Sequence, residues 1–347
     1  MVHSLTFPTS PTKWRQNIDA ENFIRYDYYS KIWEEFLVIT VDLFMGCGGL
    51  AKGFQDAGFI IKAAYDNWDA AIECYKANFD HAVIKQDLGN VEEVIPSVQA
   101  WNPDIIIGGP PCQDFSHAGK RKEGARADLT VSFAEIVVAI KPKWFLLENV
   151  DRITKSDAYA DARKLFTEAG YGLTERVLDA SLCGVPQKRR RFFCIGLLGE
   201  EDGFLNSIID ANLDSKPMTI RDYMGDELDI EYYYRHPRNY NRRGIFSIDE
   251  PSPTVRGVNR PVPKGYKGHH GDPVPVTPEL RPLTTFERAR LQTFPKDFKW
   301  IGTKTALEQM IGNAVPVRMA EFVARAILEY DSGMETGCYC ERQRSVS

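Results

Sequence analysis

Cys112 ends an apolar run, DIIIGGPPC (104–112), directly behind two prolines. The prolines stiffen the turn and so fix where the thiol points. The residues after it lead into a basic stretch, Lys120-Arg-Lys-Glu-Gly-Ala-Arg126. Nearby cations lower a thiol pKa, and the thiolate is the nucleophile. A lone cysteine is more often a small buried hydrophobe, so its neighbours must decide. Glu148 ends another apolar run, WFLLE (144–148), and is a candidate acid or hydrogen-bond partner. In Gln187-Lys-Arg-Arg-Arg191 a period of two sends Gln187, Arg189 and Arg191 to one face, toward a cleft or along a solvated basic edge.

A second group of residues suits ligand binding. Asp42-Leu-Phe-Met-Gly-Cys-Gly-Gly49 forms a G-x-G-G turn that opens into a helical pattern. Its glycines let the backbone approach a ligand, and a helix N-terminus favours negative charge such as a carboxylate. The turn lacks the G-x-G-x-x-G spacing of dinucleotide sites. Asp66-Asn67-Trp68 follows the next apolar run, where an acidic or amide group can hold ribose hydroxyls. Asp87, ahead of Leu88, can accept from an adenine amino group. Together these suit an adenosine-bearing cofactor with no pyrophosphate.

The elements that must position these groups alternate. Strands are expected at 36–42, 60–66, 82–87, 104–109, 144–148 and 191–197, with helices at 50–58, 68–79 and 131–140, where apolar residues recur three and four apart. Such alternation predicts an α/β fold with a mostly parallel sheet covered on both faces. Ligands in such sheets bind beyond the carboxyl ends of the strands, and the first five strands end in Asp42, Asp66, Asp87, the Gly109–Cys112 turn and Glu148. The catalytic and cofactor-binding domain is expected over 36–197. A smaller Gly/Pro/Arg/Tyr-rich domain should follow at 198–280, and a helical segment, 281–332, should return to the first domain. Residues 1–35 form an N-terminal extension, and 333–347 read as a disordered tail.

Composition bounds the rest. The chain has 347 residues, of which 43% are hydrophobic. At roughly 150 residues per domain that suggests two domains, or one large and one small, with a real core. Nothing approaches the ~18 consecutive apolar residues of a membrane span, and the N-terminus carries no secretory pattern. Seven cysteines show no disulfide framework, which points to a reducing, cytoplasmic compartment. Cys338-x-Cys340 lacks the second ligand pair of a zinc site, so no metal is expected. The net charge of −5 conceals a basic stretch. Residues 232–270 hold eight Lys and Arg against two acids, the footprint of an anionic partner or a solvated basic surface.

Taken together, these motifs closely resemble those of the DNA cytosine-C5 methyltransferases. DLFMGCGGL (42–50) resembles the family's first motif and GGPPCQDFS (108–116) its nucleophile loop; ENV (148–150) and QKRRR (187–191) match the next polar blocks. RPLTTFERARLQTFP (281–295) and QMIGNAVP (309–316) resemble the two C-terminal motifs, with a variable region at 197–280. The resemblance implies a Rossmann-like S-adenosylmethionine-dependent methyltransferase sheet with a target-recognition domain, releasing S-adenosylhomocysteine. It places the cofactor against Phe44, Gly46, Gly48, Gly49, Trp68, Asp87, Leu88, Pro110, Leu129, Asn313 and Val315. The family usually carries a glutamate where this chain has Asn67, so Asp66 or Asn67 holds the ribose.

By the same analogy Cys112 attacks C6 of a flipped-out cytosine, Glu148 meets N3 and the exocyclic amine, and Arg191, with Arg189 nearby, meets O2. Gln113, Ser116, Lys120 and Arg121 contact the DNA strand. Arg235, Arg238, Arg242, Arg243, Arg256 and Arg260 are candidates for reading bases or phosphates. The implied partner is double-stranded DNA, met by a monomer in the cytoplasm. The resemblance also implies a cognate restriction endonuclease acting on the same site without a stable complex. A tRNA methyltransferase, a catalytically silent DNA-binding homologue and a nicotinamide-dependent oxidoreductase are the rival readings. They are disfavoured by the absence of a cysteine motif in 197–280, by the intact Cys112, Glu148 and Gln-x-Arg-x-Arg set, and by the glycine spacing.

Overall fold

The β-branched and aromatic runs become strands in a computed structural model that describes residues 38–111, 128–237 and 241–344, with side chains through 333. Residues 1–35, Cys112, Gln113, Ser116, Lys120, Arg121 and Arg238 lie outside the described residues. From Ile39 onward the chain is one compact unit. Its strands are β1 (Ile39–Leu43), β2 (Ile60–Asp66), β3 (Ala82–Lys85), β4 (Ile105–Gly108), β5 (Trp144–Val150), β6 (Tyr171–Asp179), β7 (Gln187–Lys188), β8 (Arg190–Leu198), β9 (Tyr232–Tyr234), β10 (Ile245–Ser247) and β11 (Ser252–Pro253). The helices are α1 (Gly49–Ala57), α2 (Asp69–Lys76), α3 (Val91–Gln99), α4 (Leu129–Ile140), α5 (Asp157–Glu168), α6 (Asn206–Asn212), α7 (Ile220–Met224), α8 (Thr285–Leu291), α9 (Lys304–Asn313) and α10 (Val317–Arg344).

Seven strands form one sheet in the order β3-β2-β1-β4-β5-β8-β6. β1 to β5 are parallel, whereas β8 runs antiparallel to both β5 and β6. The sixth expected strand is therefore β8, reversed because β6 precedes it and leads back across the sheet. The sheet's fully buried strands, such as Ile105–Gly108, are nearly continuous apolar runs, as expected of strands covered on both faces. On one face Val41, Leu43, Ile106, Phe145 and Phe192 pack with Phe133 of α4 and Phe166 of α5. Across the sheet α10 lies on α1, where a Cβ on Gly49 or Gly53 would collide with the carbonyls of Val315 and Val317. Small residues thus bring the returning C-terminal segment onto the turn after β1.

Residues 199–213 belong with the sheet: Gly203 N donates to Leu173 O at 2.8 Å, Leu205 N donates to Thr174 Oγ1 at 3.1 Å, and Leu205 and Ile209 are fully buried. The rest of the expected smaller domain shares its core with the returning segment. Ile220, Met224, Tyr233, Phe246, Ile248 and Val255 pack against Leu283, Ala289, Leu291 and Ile311. Strands of two or three residues cannot enclose a core alone. α10 runs on to Arg344 with no proline to stop it. No helix among the described residues is long and apolar enough to cross a membrane.

Candidate active site

The carboxyl ends of the parallel strands converge around the turn after β1. Phe44, Gly46 and Gly48 all take positive φ there, 60°, 54° and 91°. For phenylalanine that conformation costs about 1–3 kcal/mol and persists only where the surroundings enforce it. Gly48 has a second constraint, since a side chain there would run into the Phe79 ring. Asp66 locks the turn: its carboxylate accepts from Gly46 N and Trp68 N, each at 2.9 Å. Its neighbour Asn67 is exposed, so the two ribose candidates have different surroundings. Asp87, half-buried, accepts at Oδ1 from Gly89 N at 3.0 Å; Leu88 beside it is buried. Asn313 is exposed at the end of α9, while Val315 is buried against Gly49. A half-buried aromatic held in strain, a glycine turn open at Gly46 and separate amide and carboxylate groups fit an adenosine-bearing cofactor.

Glu148 lies at the end of β5, only 7% exposed. The β5–β8 register pairs Glu148 with Phe193 and Val150 with Arg191, which makes Glu148 and Arg191 diagonal neighbours on one face. Arg191 Nε accordingly stands 3.0 Å from Glu148 Oε1. Burial pushes the Glu148 carboxyl up, against the opposing pull of Arg191 and Arg189. Asn149, the next residue, turns the other way and donates from Nδ2 to Pro110 O at 2.9 Å. This buried bond ties β5 to the stem of the Pro-Pro-Cys turn. The residue type alone gave no hint of it.

Arg189 has internal partners. It is fully buried, and its guanidinium donates to Val255 O (3.0 Å), Gly312 O (2.9 Å), Asn313 O (3.4 Å) and Ala314 O (2.9 Å). Both amino groups are thus committed to carbonyls of its own chain. Gln187 is equally internal, donating to Gln292 Oε1 at 2.7 Å and accepting from Val255 N at 2.7 Å. Gln292, fully buried and bonded to Ile311 O and Ala314 O, completes the same network. A glutamine just past the end of a helix carries no local signal of such a role.

Among the arginines expected to face DNA, several also bond within the chain. Arg235 donates to Thr254 O at 2.6 Å, Arg256 to His236 O, and Arg243 pairs with Glu250 while lying over the Phe246 ring. Arg242 and Arg260 are exposed.

Asp42, fully buried in β1, has no hydrogen-bond partner for either carboxylate oxygen among the described residues. Burial first, and the charge of Asp66 second, push its carboxyl well above the usual range. A raised folded-state pKa stabilises the protein fully below the unfolded value, and this contribution is lost as pH rises through the folded value. Asp42→Asn, which cannot ionise, should therefore flatten the loss of stability on the alkaline side, by up to about 1.4 kcal/mol per pH unit. Urea unfolding of both proteins between pH 5 and 8 measures that slope.

A parallel-rich sheet of this order, with a glycine turn after its first strand and a buried acid at the end of its fifth, defines a Rossmann-like methyltransferase. The family model for the C-5 cytosine-specific DNA methylases matches residues 38–329. The chain belongs to that family, and its activity is that of a DNA cytosine-5 methyltransferase. It is 59% identical over 293 residues to the Type II methyltransferase M.HindV of Haemophilus influenzae, covering 84% of this chain and 96% of that protein. It is 52% identical over 292 residues to M.HgiDI of Herpetosiphon aurantiacus, covering 84% and 94%. In fold it is similar to a DNA modification methyltransferase encoded within an E. coli prophage (TM-score 0.63, 23% identity, 85% and 99% covered). The S. pombe Dnmt2 methyltransferase is comparable (TM-score 0.62, 18% identity, 84% and 98% covered).

Proposed function

We propose that this protein methylates carbon 5 of one cytosine within a specific double-stranded DNA sequence, as the modification half of a restriction–modification system. The observation that carries this reading is the buried Glu148–Arg191 pair at 3.0 Å, beside the strand end that leads into Pro110-Pro111-Cys112. The target base must leave the stack to be reached, at a cost of a few kcal/mol. The Cys112 thiolate adds to C6, and the displaced electron pair moves to C5. Glu148 holds N3 and the exocyclic amine, supplying the proton that makes this addition favourable, and Arg191 holds O2 while keeping the Glu148 carboxyl in place. S-adenosylmethionine, when bound, supplies the methyl group. A water molecule then takes the C5 proton, the C5–H electron pair restores the ring double bond as the C6–S bond breaks, the N3 proton returns to Glu148, and Cys112 leaves as the thiolate.

The chain's own groups would seat that cofactor. Phe44 meets the adenine ring and Asp87 its amino group, with Leu88, Pro110 and Leu129 lining the cleft. Asn67 holds the ribose, since Asp66 is engaged in the turn, and Trp68 flanks it. Gly46, Gly48 and Gly49 admit the amino-acid end, and Asn313 and Val315 close the site. Gln113, Ser116, Lys120 and Arg121 contact the strand, and Arg235, Arg242, Arg243, Arg256 and Arg260 supply the recognition surface. Bisulfite sequencing of plasmid DNA from cells expressing this chain tests the reading. Protected cytosines in one recurring short context are expected, and unprotected DNA with soluble protein present would refute it.

A further inference from the structure

The segment Ser252–Gly257 is laced to its surroundings carbonyl by carbonyl. Ser252 N donates to Pro186 O at 2.9 Å, where β11 pairs with β7. Three successive carbonyls then each accept from an arginine on a different element. Arg235, after β9, holds Thr254 O; Arg189, between β7 and β8, holds Val255 O; and Arg288 of α8 holds Arg256 O. A Cβ on Gly312 would collide with Gly257 N, so the segment lies directly against the end of α9. Arg189 reaches both sides of that contact. Nη1 holds Val255, and Nη2 holds the carbonyls of Gly312, Asn313 and Ala314, the turn that closes the proposed cofactor site.

We propose that Arg189 is a positioning residue that couples target recognition to cofactor binding. The inference rests on the DNA methylation reading. One rigid fork fixes the segment beside the DNA-facing arginines and the turn carrying Asn313 in a single relative position. DNA that seats the segment therefore seats the turn, and a cofactor that seats the turn seats the segment. Such coupling is reciprocal by thermodynamic necessity. Arg189 is well placed for this because a planar guanidinium satisfies several carbonyls at fixed angles, which a lysine ammonium on a flexible stem does not.

The test is the affinity of the full chain for S-adenosylhomocysteine, by titration calorimetry, with and without a saturating duplex bearing the site mapped by bisulfite sequencing. For the unaltered protein the duplex should tighten binding by about 5- to 150-fold, the usual range of such coupling. In Arg189→Lys that ratio should fall to about twofold or less, while affinity without DNA falls by a smaller factor than the ratio does. Gly257→Ala is the second route should that variant not fold. Its methyl would press Gln309 Cα at 3.3 Å and shift the segment with the guanidinium intact, so the ratio should fall here too. An undiminished ratio in the folded variants overturns the proposal. So does an equal loss of affinity with and without DNA, which is what a merely structural role gives. An unaltered protein that methylates its site but shows no coupling overturns this inference alone, whereas one that methylates no DNA overturns the reading beneath it.

Discussion

Cys112→Ala should reduce methyl transfer by on the order of 10⁴-fold or more, the scale seen when an enzyme loses its nucleophile, and leave DNA binding within a few-fold of the unaltered protein. Carbon 5 of cytosine is a poor nucleophile until something adds at C6, and only the sulfur does so here. The residues proposed to grip DNA are elsewhere, in the 232–270 stretch and the basic run after Cys112. The stem of the nucleophile turn does not depend on the thiol either, because Asn149 Nδ2 holds Pro110 O at 2.9 Å. Bisulfite sequencing and gel-shift titration read the two halves of the prediction. A duplex with 5-fluorocytosine at the mapped position gives a third readout. Fluorine cannot leave as a proton does, so the Cys112–C6 bond should survive denaturant in the unaltered protein and be absent from Cys112→Ala. Substantial methylation by the alanine variant would sink the covalent route.

What could be read in advance follows from where each signal lies. The core strands were visible because burial on both faces writes itself as Ile105-Ile-Ile or Phe145-Leu-Leu, whatever lies around them. The candidate site residues stand out as residue types at strand ends, since a Gly-x-Gly-Gly turn, a Pro-Pro-Cys turn and a terminal glutamate are local statements. α3 and α5 escaped notice. Pro96 sits inside α3 and reads as a breaker, and α5 buries Ala158 and Ala162 beside Tyr159 and Phe166, so its apolar stripe is made of small residues. β6 was hidden by Thr174, Glu175 and Arg176 in its centre, two of which pair outward with Tyr159, Arg163 and Asp210. The role of Arg189 was illegible for a deeper reason. Period two correctly put it on the face of Gln187 and Arg191, but its partners lie 66 and about 124 residues away in sequence. No local pattern records a carbonyl cage assembled from Val255 and the 312–314 turn. The packing of the 198–280 stretch is hidden for the same reason, because its core is completed by Leu283, Ala289, Leu291 and Ile311.

Glu148→Gln should lower kcat by about 10²- to 10⁴-fold, the range for a positioned proton donor, with little change in DNA affinity. The amide keeps the size and can still hydrogen-bond the base, but it cannot transfer a proton to N3. The pH dependence separates this from a packing defect. Burial raises the Glu148 carboxyl, and Arg191 and Arg189 only partly offset it. The protonated form that the chemistry needs is thus populated further toward neutrality than an exposed glutamate would allow. kcat/KM of the unaltered protein should fall as pH rises through that raised value, and the Gln variant should lack this limb. Stability obeys the same sign. A raised folded-state pKa favours the fold fully below the unfolded value of about 4.5 and ceases to do so above the folded value. Glu148→Gln should therefore gain on the unaltered protein as pH rises, offset by the loss of the 3.0 Å ion pair with Arg191. Single-turnover methyl transfer between pH 6 and 9, beside urea unfolding over the same range, measures both. A Gln variant within tenfold of the unaltered kcat, or one that keeps the alkaline limb, would remove Glu148 from the proton's path and leave it only as the partner that holds Arg191.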